Sequence, residues 1–403
     1  MPHDIHSLSI QGDGIADGPI YAPFSLPGEQ VDGDVIGNRI ETPRILHPSD
    51  QRVKAPCPHF KSCGGCAMQH ASDDFVAAWK ADVITHALSA QGLSADVRVT
   101  LTSPAQSRRR ATLAGKRTKG GAMVGFHTRA SDIIIPIPNC TLLHPAIMAA
   151  IPALEEMTVI GASRKAELSI AVAVTLNGLD INVTNGKEPD AEVLSEMARL
   201  VDANKFSRLT WNDESIAARA PATVDIDGML VTPPPGAFMQ ATETGQIALI
   251  NAVRSIIGEA KSVVDLFAGC GTFSLPLART ATVHGVESEA PLLDALMSTW
   301  RQSSGLKPVI TEKRDLFRNP LLPEELNRFD AIIIDPPRAG AEAQCRMIAD
   351  STVQTIAFVS CNPVTFARDA KILTDAGYRI EWVQPVDQFR WSPHVELVAY
   401  FTK

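Results

Sequence analysis

The stretch VVDLFAGCGTFSLPLA, residues 263–278, decides the fold. It reads as a buried strand, a glycine-rich turn and the start of a helix. Gly269 and Gly271 let the backbone turn tightly and approach a ligand closely, because glycine has no side chain. Ser274 stands where a dinucleotide-binding turn has its third glycine. A dinucleotide-dependent oxidoreductase is therefore only a remote alternative.

Further apolar strands follow in the last third of the chain, each separated from the next by a segment long enough for a crossover helix. They are TVHGVES (282–288), FDAIIIDPP (329–337) and TIAFVSCNP (355–363). This alternation predicts an α/β fold with a doubly wound parallel sheet covered on both faces. RIEWVQPVDQF (379–389) and HVELVAYFTK (394–403) predict an antiparallel pair at the sheet edge. In such sheets ligands bind at the carboxyl ends of the strands.

The segments before this sheet predict two other domains. Residues 1–50 contain short β-like runs broken by Gly, Pro and Asp, which favours a small β-barrel. Residues 51–230 mix strand-like runs with helical stretches and predict a middle α+β domain. Three prolines at 233–235 mark the boundary to the last domain, residues 231–403, because proline interrupts a helix and helical sequence resumes at Thr242.

Composition limits the location and the partners. The chain has a net charge of -8 and 45% hydrophobic residues, with no apolar stretch long enough to span a membrane and no secretory signal at its start. These features predict a cytoplasmic protein, and nothing indicates an obligate protein partner. Between Arg108 and Arg129, seven lysines or arginines occur without one acidic residue. We call this stretch the basic island. It is either a solvated charged face or an RNA contact.

Seven cysteines are distributed unevenly along the chain. Three lie in the knuckle CPHFKSCGGCAMQH, residues 57–70, which also contains two histidines. This spacing suits a structural zinc site with three cysteines and one histidine. It equally suits an iron-sulfur cluster if Cys140, in a proline-flanked loop, supplies a fourth thiolate. The spacing leaves both possibilities open.

Three strand ends place reactive side chains at one edge of the predicted sheet. Glu287 closes its strand where a doubly wound fold holds a carboxylate against ribose hydroxyls. Asp335 precedes two prolines that stiffen its loop, and Cys361 ends the next strand. A cysteine at this edge is either a nucleophile, which has to react as a thiolate, or a buried structural thiol.

FAGCGTFSLPLA, IDPPR, VSCNP and HVELVAYF, in this order and spacing, resemble the RNA uracil-5 (5-methyluridine) methyltransferases. The knuckle resembles that of the iron-sulfur branch acting on 23S rRNA, and the resemblance covers nearly the whole chain. It implies a class I S-adenosylmethionine-dependent methyltransferase domain. It also implies an N-terminal RNA-binding barrel of the TRAM or OB type and a middle domain bearing a 4Fe-4S cluster.

Residue by residue, the resemblance makes Cys361 the nucleophile and Glu396 the base. It assigns the S-adenosylmethionine site to Gln240, Phe267, Thr272, Glu287, Asp315 and Asp335, and the 4Fe-4S cluster to Cys57, Cys63, Cys66 and Cys140. Two positions depart from the family pattern. Thr272 replaces a common asparagine, which puts one cofactor hydrogen bond in doubt, and Leu397 replaces a common threonine after the base. No role follows for Cys270 or Cys345.

The resemblance also implies the reaction: a methyl group passes to carbon 5 of a flipped-out uridine while Cys361 is bonded to carbon 6. Its leading substrate is 23S rRNA, with transfer RNA as the alternative. Two other functions remain open. The chain could be a methyltransferase of proteins or small molecules in which Cys361 merely ends a strand, or a non-catalytic RNA-binding protein of the same fold.

Overall fold

The computed structural model describes residues 2–403. Its N-terminal part is a curled, mainly antiparallel sheet with the strand order β5-β6-β3-β2-β1-β4-β7, in which only β3 and β6 pair in parallel. Small apolar side chains such as Ile5, Ala22 and Val31 fill its interior. The strands are β1 (His3–Leu8), β2 (Gly14–Ala16), β3 (Ile20–Ala22), β4 (Gln30–Asp32), β5 (Val35–Ile36), β6 (Arg39–Ile40) and β7 (Arg44–His47).

The central part forms a second sheet with two helices packed against it. The first helical stretch expected from the sequence is α1 (Asp73–Ser89), which precedes this sheet. Ser72 caps α1 by accepting a hydrogen bond from Phe75 N. The sheet order is β11-β10-β9-β12-β13-β14-β15. The elements after α1 are β8 (Leu101–Thr102), β9 (Arg110–Thr118), β10 (Gly121–His127), β11 (Ile134–Pro136), α2 (Pro145–Gly161), β12 (Leu168–Thr175), β13 (Gly178–Thr184), α3 (Ala191–Ala203), β14 (Arg208–Trp211) and β15 (Glu214–Ala218).

The last part is the predicted doubly wound sheet, with the order β20-β19-β18-β21-β22-β24-β23-β8. Strands β20 to β22 pair in parallel, and β24 lies antiparallel between β22 and β23. Its elements are β16 (Val224–Ile226), β17 (Met229–Val231), α4 (Glu243–Ile257), β18 (Ser262–Leu266), α5 (Ser274–Leu277), β19 (Thr282–Glu287), α6 (Ala290–Gln302), β20 (Val309–Lys313), α7 (Pro323–Leu326), β21 (Ala331–Ile334), α8 (Glu342–Ala349), β22 (Thr355–Ser360), α9 (Pro363–Asp375), β23 (Arg379–Asp387) and β24 (Glu396–Thr402).

Part of the segment 51–230 packs on this last sheet. Helix α1 contacts α9 and β23, and the short strand β8 pairs in parallel with the end of β23. Lys80 of α1 is fully buried and forms an ion pair of 2.6 Å with Asp387. The predicted domain boundaries after residues 50 and 230 stay a prediction.

The apolar sequence of the parallel strands reflects burial on both faces of the sheet. Every residue of β21 is fully buried, as are Val263, Val264 and Leu266 of β18. The strand order reverses between β18 and β21, and the loops after these two strands lie side by side at the carboxyl edge of the sheet. Within residues 2–403, no helix is both long and apolar enough to cross a membrane.

Candidate active site

One cavity of about 560 Å³ lies at the carboxyl edge of the parallel strands. It is lined by every residue that the sequence predicts for catalysis or cofactor binding: Gln240, Phe267, Thr272, Glu287, Asp315, Asp335, Cys361 and Glu396. Six of them lie at or just after the carboxyl ends of strands β18 to β22, whereas Glu396 begins β24 and Gln240 precedes α4. The structure therefore brings together side chains that are as much as 156 positions apart, as are Gln240 and Glu396.

The glycine-rich turn after β18 leaves open space against the cavity. Gly269 and Gly271 have φ values of +54° and +91°, which residues other than glycine rarely adopt. A Cβ atom at Gly269 would meet nothing within 4 Å, whereas one at Gly271 would lie 2.4 Å from Leu296. Gly269 thus opens the turn to a ligand, and Gly271 lets the turn pack on α6.

Backbone N–H groups hold the carboxylate of Glu287 at the end of β19. Glu287 Oε2 accepts from Gly269 N at 3.1 Å, and Oε1 accepts from Ser288 N at 2.6 Å and from Glu289 N at 3.2 Å. Near it, the rings of Phe267 and Phe317 lie 5.6 Å apart. Asp315 fixes this loop because its Oδ1 accepts from Phe317 N at 3.0 Å. The arrangement offers a fixed carboxylate beside an aromatic wall.

Cys361 and Asp335 line the same cavity, in an environment that disfavours negative charge. Burial, followed by the carboxylates of Glu396 and Asp335, raises the pKa of Cys361 to about 12. Burial and the neighbouring carboxylates Glu396 and Asp265 also raise the pKa of Asp335 well above its ordinary value. The thiol of Cys361 is therefore protonated at neutral pH in the absence of ligands.

Glu396, the first residue of β24, is 4% exposed. Burial raises its pKa from 4.5 to about 7, against the opposing effects of a hydrogen bond from Gln388 and of the cations Arg110 and Arg338. A carboxyl group with a pKa near neutrality is suited to accept a proton and release it again. Its position beside Cys361 supports the pairing of nucleophile and base that the resemblance implies.

Several further residues of this wall were not predicted from the sequence, among them Arg110, Phe238, Arg338 and His394. The guanidinium of Arg110 lies over the ring of Phe238, with Cζ 4.2 Å from the ring centroid, although Phe238 remains 59% exposed. The signal available in the sequence was a phenylalanine two positions before the predicted site residue Gln240, since aromatic rings are frequent at contact surfaces. Burial lowers the pKa of Arg110 to about 10, so it remains a cation.

The basic island lies partly inside the protein. Arg108, Arg109 and Arg110 are partly buried. Arg109 donates from Nε to the carbonyl of Gln240 at 3.0 Å and from Nη2 to Gln246 Oε1 at 2.7 Å. These three arginines join the central sheet to the wall of the cavity, and a contact of theirs with RNA stays a prediction.

A second, larger cavity of about 750 Å³ adjoins the first beyond Cys361. Arg338, Cys361 and His394 line both cavities. Its other walls are the β1–β2 loop of the N-terminal sheet, one face of α1 and the start of α9. A groove therefore runs from the thiol to the N-terminal sheet.

The cysteines of the knuckle share a small cavity of their own. Cys57, Cys63, Cys66 and Cys140 all line it, together with His59, and none of them forms a disulfide. Among the described residues, however, no group of three or more Cys, His, Asp or Glu is arranged to hold a metal ion. His70 is a packing residue, stacked 5.6 Å from Phe60, and burial lowers its pKa to about 4.

Comparison with known proteins shows the family of this chain. A model of the family described as tRNA (Uracil-5-)-methyltransferase matches residues 229–403. An uncharacterized RNA methyltransferase of Rhizobium meliloti is 42% identical over 99% of this chain and 98% of its own. The chain belongs to the RNA uracil-5 methyltransferase family. It is accordingly an S-adenosylmethionine-dependent RNA methyltransferase, which confirms the enzyme class expected from the sequence.

Two further relatives differ in their RNA substrate. The 23S rRNA (uracil(1939)-C(5))-methyltransferase RlmD of Chromohalobacter salexigens is 29% identical over 99% of this chain and 88% of its own. The crystal structure of tRNA (uracil-54, C5)-methyltransferase from Pyrococcus abyssi, in complex with S-adenosyl-L-homocysteine, has a TM-score of 0.79. The match covers 100% of this chain and 99% of that one at 24% identity, and it confirms the mixed α/β fold with a curled N-terminal sheet.

Proposed function

We propose that this enzyme transfers the methyl group of S-adenosylmethionine to carbon 5 of a uridine in RNA, through a covalent adduct between Cys361 and carbon 6. The observation that carries the proposal is the shared cavity of about 560 Å³, which Cys361 and Glu396 line together with Glu287 and Asp315. A thiol, a base and the carboxylates of the expected donor site therefore border one recess.

The methyl donor fits the end of the cavity near the glycine-rich turn. Glu287, held by backbone N–H groups, would accept hydrogen bonds from ribose hydroxyls. Phe267 and Phe317 offer aromatic surface for the adenine ring. The donor supplies an electrophilic methyl group. Gln240, Thr272, Asp315 and Asp335 complete the proposed donor site, with the threonine hydroxyl of Thr272 in place of the more common amide.

The chemistry at Cys361 begins with a protonated thiol. Its proton has to leave to water in the adjoining groove as sulfur bonds to carbon 6. Addition of the thiolate turns the uracil ring into an enolate that is nucleophilic at carbon 5. After carbon 5 gains the methyl group, Glu396, with a pKa of about 7, removes the proton from carbon 5. The sulfur–carbon bond then breaks and the ring regains its double bond.

The target base has to leave its stack to reach the thiol. Phe238 and Arg110 form the mouth of the cavity on that side, and the exposed ring of Phe238 can stack on a flipped base. The groove between the N-terminal sheet and α1 meets the cavity at Cys361 and offers a path for the adjoining RNA strand.

We propose 23S rRNA as the substrate. The relative named for 23S rRNA aligns with 99% of this chain, whereas the transfer RNA enzyme, at 24% identity, informs only the fold. Mapping of 5-methyluridine by mass spectrometry, in ribosomal and transfer RNA from cells with and without the gene, tests this choice. We expect one ribosomal site to lose its mark and to regain it with the wild-type gene but not with Cys361→Ala.

If transfer RNA alone loses the mark, the ribosomal assignment is wrong and the reaction stands. If neither RNA pool changes, the proposed function is refuted. Full methylation by Cys361→Ala would point to a direct methyl transfer without an adduct. Failure of the pure protein to bind S-adenosylmethionine would favour the non-catalytic RNA-binding protein instead.

We further propose that Cys57, Cys63, Cys66 and Cys140 hold a 4Fe-4S cluster. The four thiols face one cavity, and the positive charge of Arg108 acts on Cys66 and Cys140, which suits a group bound by thiolates. The cluster would tie the knuckle to the loop of Cys140. Iron and sulfide analysis of anaerobically purified protein tests this. Stoichiometric zinc without iron would instead indicate a zinc site with His59 as the possible fourth ligand.

A further inference from the structure

Gln388 lies behind the wall of the catalytic cavity, in the loop between β23 and β24. It is 1% exposed and does not line the cavity itself. The first turn of α4 passes so close that a Cβ atom on Gly245 would lie 2.7 Å from Gln388 Cβ and 3.2 Å from its Oε1. Glycine at position 245 thus makes room for this buried amide and for the Thr242 hydroxyl, whose Oγ1 would lie 2.7 Å from the same Cβ.

The hydrogen bonds of Gln388 fix the orientation of two side-chain amides. Ala241 N donates to Gln388 Oε1 at 2.8 Å, and a backbone N–H can only donate. The other end of the amide is therefore the Nε2 donor, which gives a hydrogen bond of 2.6 Å to Gln240 Oε1. The oxygen of Gln240 is occupied, and its NH₂ group points away from Gln388.

The NH₂ group of Gln240 is the part that a ligand in the cavity can meet. Gln240 lines the cavity, and its Nε2 donates to no other group within residues 2–403. Uracil carries an acceptor oxygen at carbon 4, whereas cytosine carries an amino donor there. A fixed NH₂ group can bond to the first and leaves a donor facing a donor with the second.

On the basis of the proposed function, we infer that Gln388 is a positioning residue that selects uracil over cytosine. It holds the Gln240 amide with its donor towards the base. The side chain of Gln388 also acts on Glu396, since it lowers the pKa of that carboxyl group against the larger opposing effect of burial. One buried amide therefore links the choice of base to the group that removes the proton from carbon 5.

The isosteric substitution Gln388→Glu tests this inference. At a pH high enough to ionise it, the introduced carboxylate could still accept from Ala241 N but could no longer donate to Gln240, so the Gln240 amide would turn and present its oxygen to the base. The measurement is the rate of adduct formation with the mapped RNA target carrying 5-fluorouridine or 5-fluorocytidine, since fluorine at carbon 5 cannot leave as a proton. The matched control is Gln384→Glu, which changes a partly exposed glutamine of β23 outside the cavity.

We expect Gln388→Glu to lower the ratio of the adduct rate with uridine to that with cytidine by about tenfold or more. The reason is that the free-energy cost of a buried donor without an acceptor discriminates between the two bases. The ratio measured for Gln384→Glu should remain as in the wild type. A slower enzyme with an unchanged ratio overturns the inference, since a purely structural role would slow both substrates alike.

Gly245→Ala provides a second route, because it displaces Gln388 without changing its chemistry. We expect the same fall in the ratio, and this variant decides the matter if Gln388→Glu does not fold. An unchanged ratio in a folded Gly245→Ala protein counts against the inference. If the wild type forms no adduct with 5-fluorouridine RNA, the proposed function itself fails. A wild-type adduct with unchanged selectivity in both variants refutes the role of Gln388 alone.

Discussion

Replacing Glu396 by glutamine should make the protein more stable and catalytically incompetent. Burial raises the pKa of Glu396 from 4.5 to about 7. Ionising this carboxyl group in the folded protein is therefore unfavourable, by about 3 kcal/mol relative to the unfolded chain. Glutamine has nearly the same shape, cannot ionise, and can still accept the hydrogen bond from Gln388.

The sign of the effect with pH follows from the raised pKa. Below about pH 4.5, Glu396 is protonated in both the folded and the unfolded state and does not destabilise the wild type. As the pH rises to about 7, the free energy of unfolding that this group contributes is progressively lost. We expect Glu396→Gln to match the wild type near pH 4.5 and to exceed it by about 3 kcal/mol near pH 8. Denaturant unfolding followed at both pH values measures the difference, with Glu381→Gln, an exposed carboxylate on β23, as the control.

The same substitution should leave the covalent adduct trapped, because no base remains to take the proton from carbon 5. It should also speed alkylation of Cys361 at neutral pH, because the charge of Glu396, after burial, is the largest cause of the raised thiol pKa. A stability gain that is equal at both pH values, or normal release of methylated RNA, would refute this account of Glu396.

Two further outcomes follow from the contacts of the site. Lys80→Met leaves Asp387 buried without its cation and should lower the free energy of unfolding by about 3–5 kcal/mol, measured by denaturation; a loss below about 1 kcal/mol would show that the pair contributes little. Phe238→Ala removes the exposed ring at the mouth of the cavity and should raise the KM for RNA about tenfold with little change in S-adenosylmethionine affinity. Steady-state kinetics with each substrate varied separately measures both constants, and an unchanged RNA KM would exclude stacking on this ring.

The strand-end residues could be predicted because parallel strands share one direction. Glu287, Asp335 and Cys361 each follow an apolar run, and the carboxyl ends of such strands meet at one edge. The sequence also predicted the closing antiparallel pair, although not that β24 enters between β22 and β23. Strand β20 was missed because VITEK is short and half polar, so its pattern does not stand out from a loop.

The rest of the site could not be predicted because it depends on contacts between distant segments. Arg110 reaches the cavity from the central sheet, and Gln388 meets Gln240 across 148 positions of sequence. Nothing in the local pattern around either residue indicates its partner. The sequence showed the charge of Arg110, as one cation of the basic island, but not the direction in which its side chain points.

The salt dependence of RNA binding should be smaller than the seven cations of the basic island suggest. Arg108, Arg109 and Arg110 face the interior, Lys116 pairs with Glu167 at 2.8 Å, and Arg129 pairs with Asp13 at 3.3 Å. Across the described residues 2–403, this leaves two of the seven, Arg117 and Lys119, that neither belong to the partly buried run Arg108–Arg110 nor pair with a carboxylate.

Each cation that neutralises a phosphate contributes about 0.7–0.9 to the slope of log affinity against log salt. Replacing Arg117 and Lys119 together by alanine should therefore lower that slope by about 1.4–1.8 in filter-binding titrations, because two phosphate contacts are lost. A matched pair, Arg164→Ala and Lys165→Ala, removes the same charge from the loop after α2. If the control lowers the slope equally, the net charge, and not this end of the β9–β10 hairpin, attracts the RNA. If neither pair changes the slope, phosphates are bound elsewhere, and the groove beside Cys361, with Arg338 at its edge, becomes the surface to mutate next.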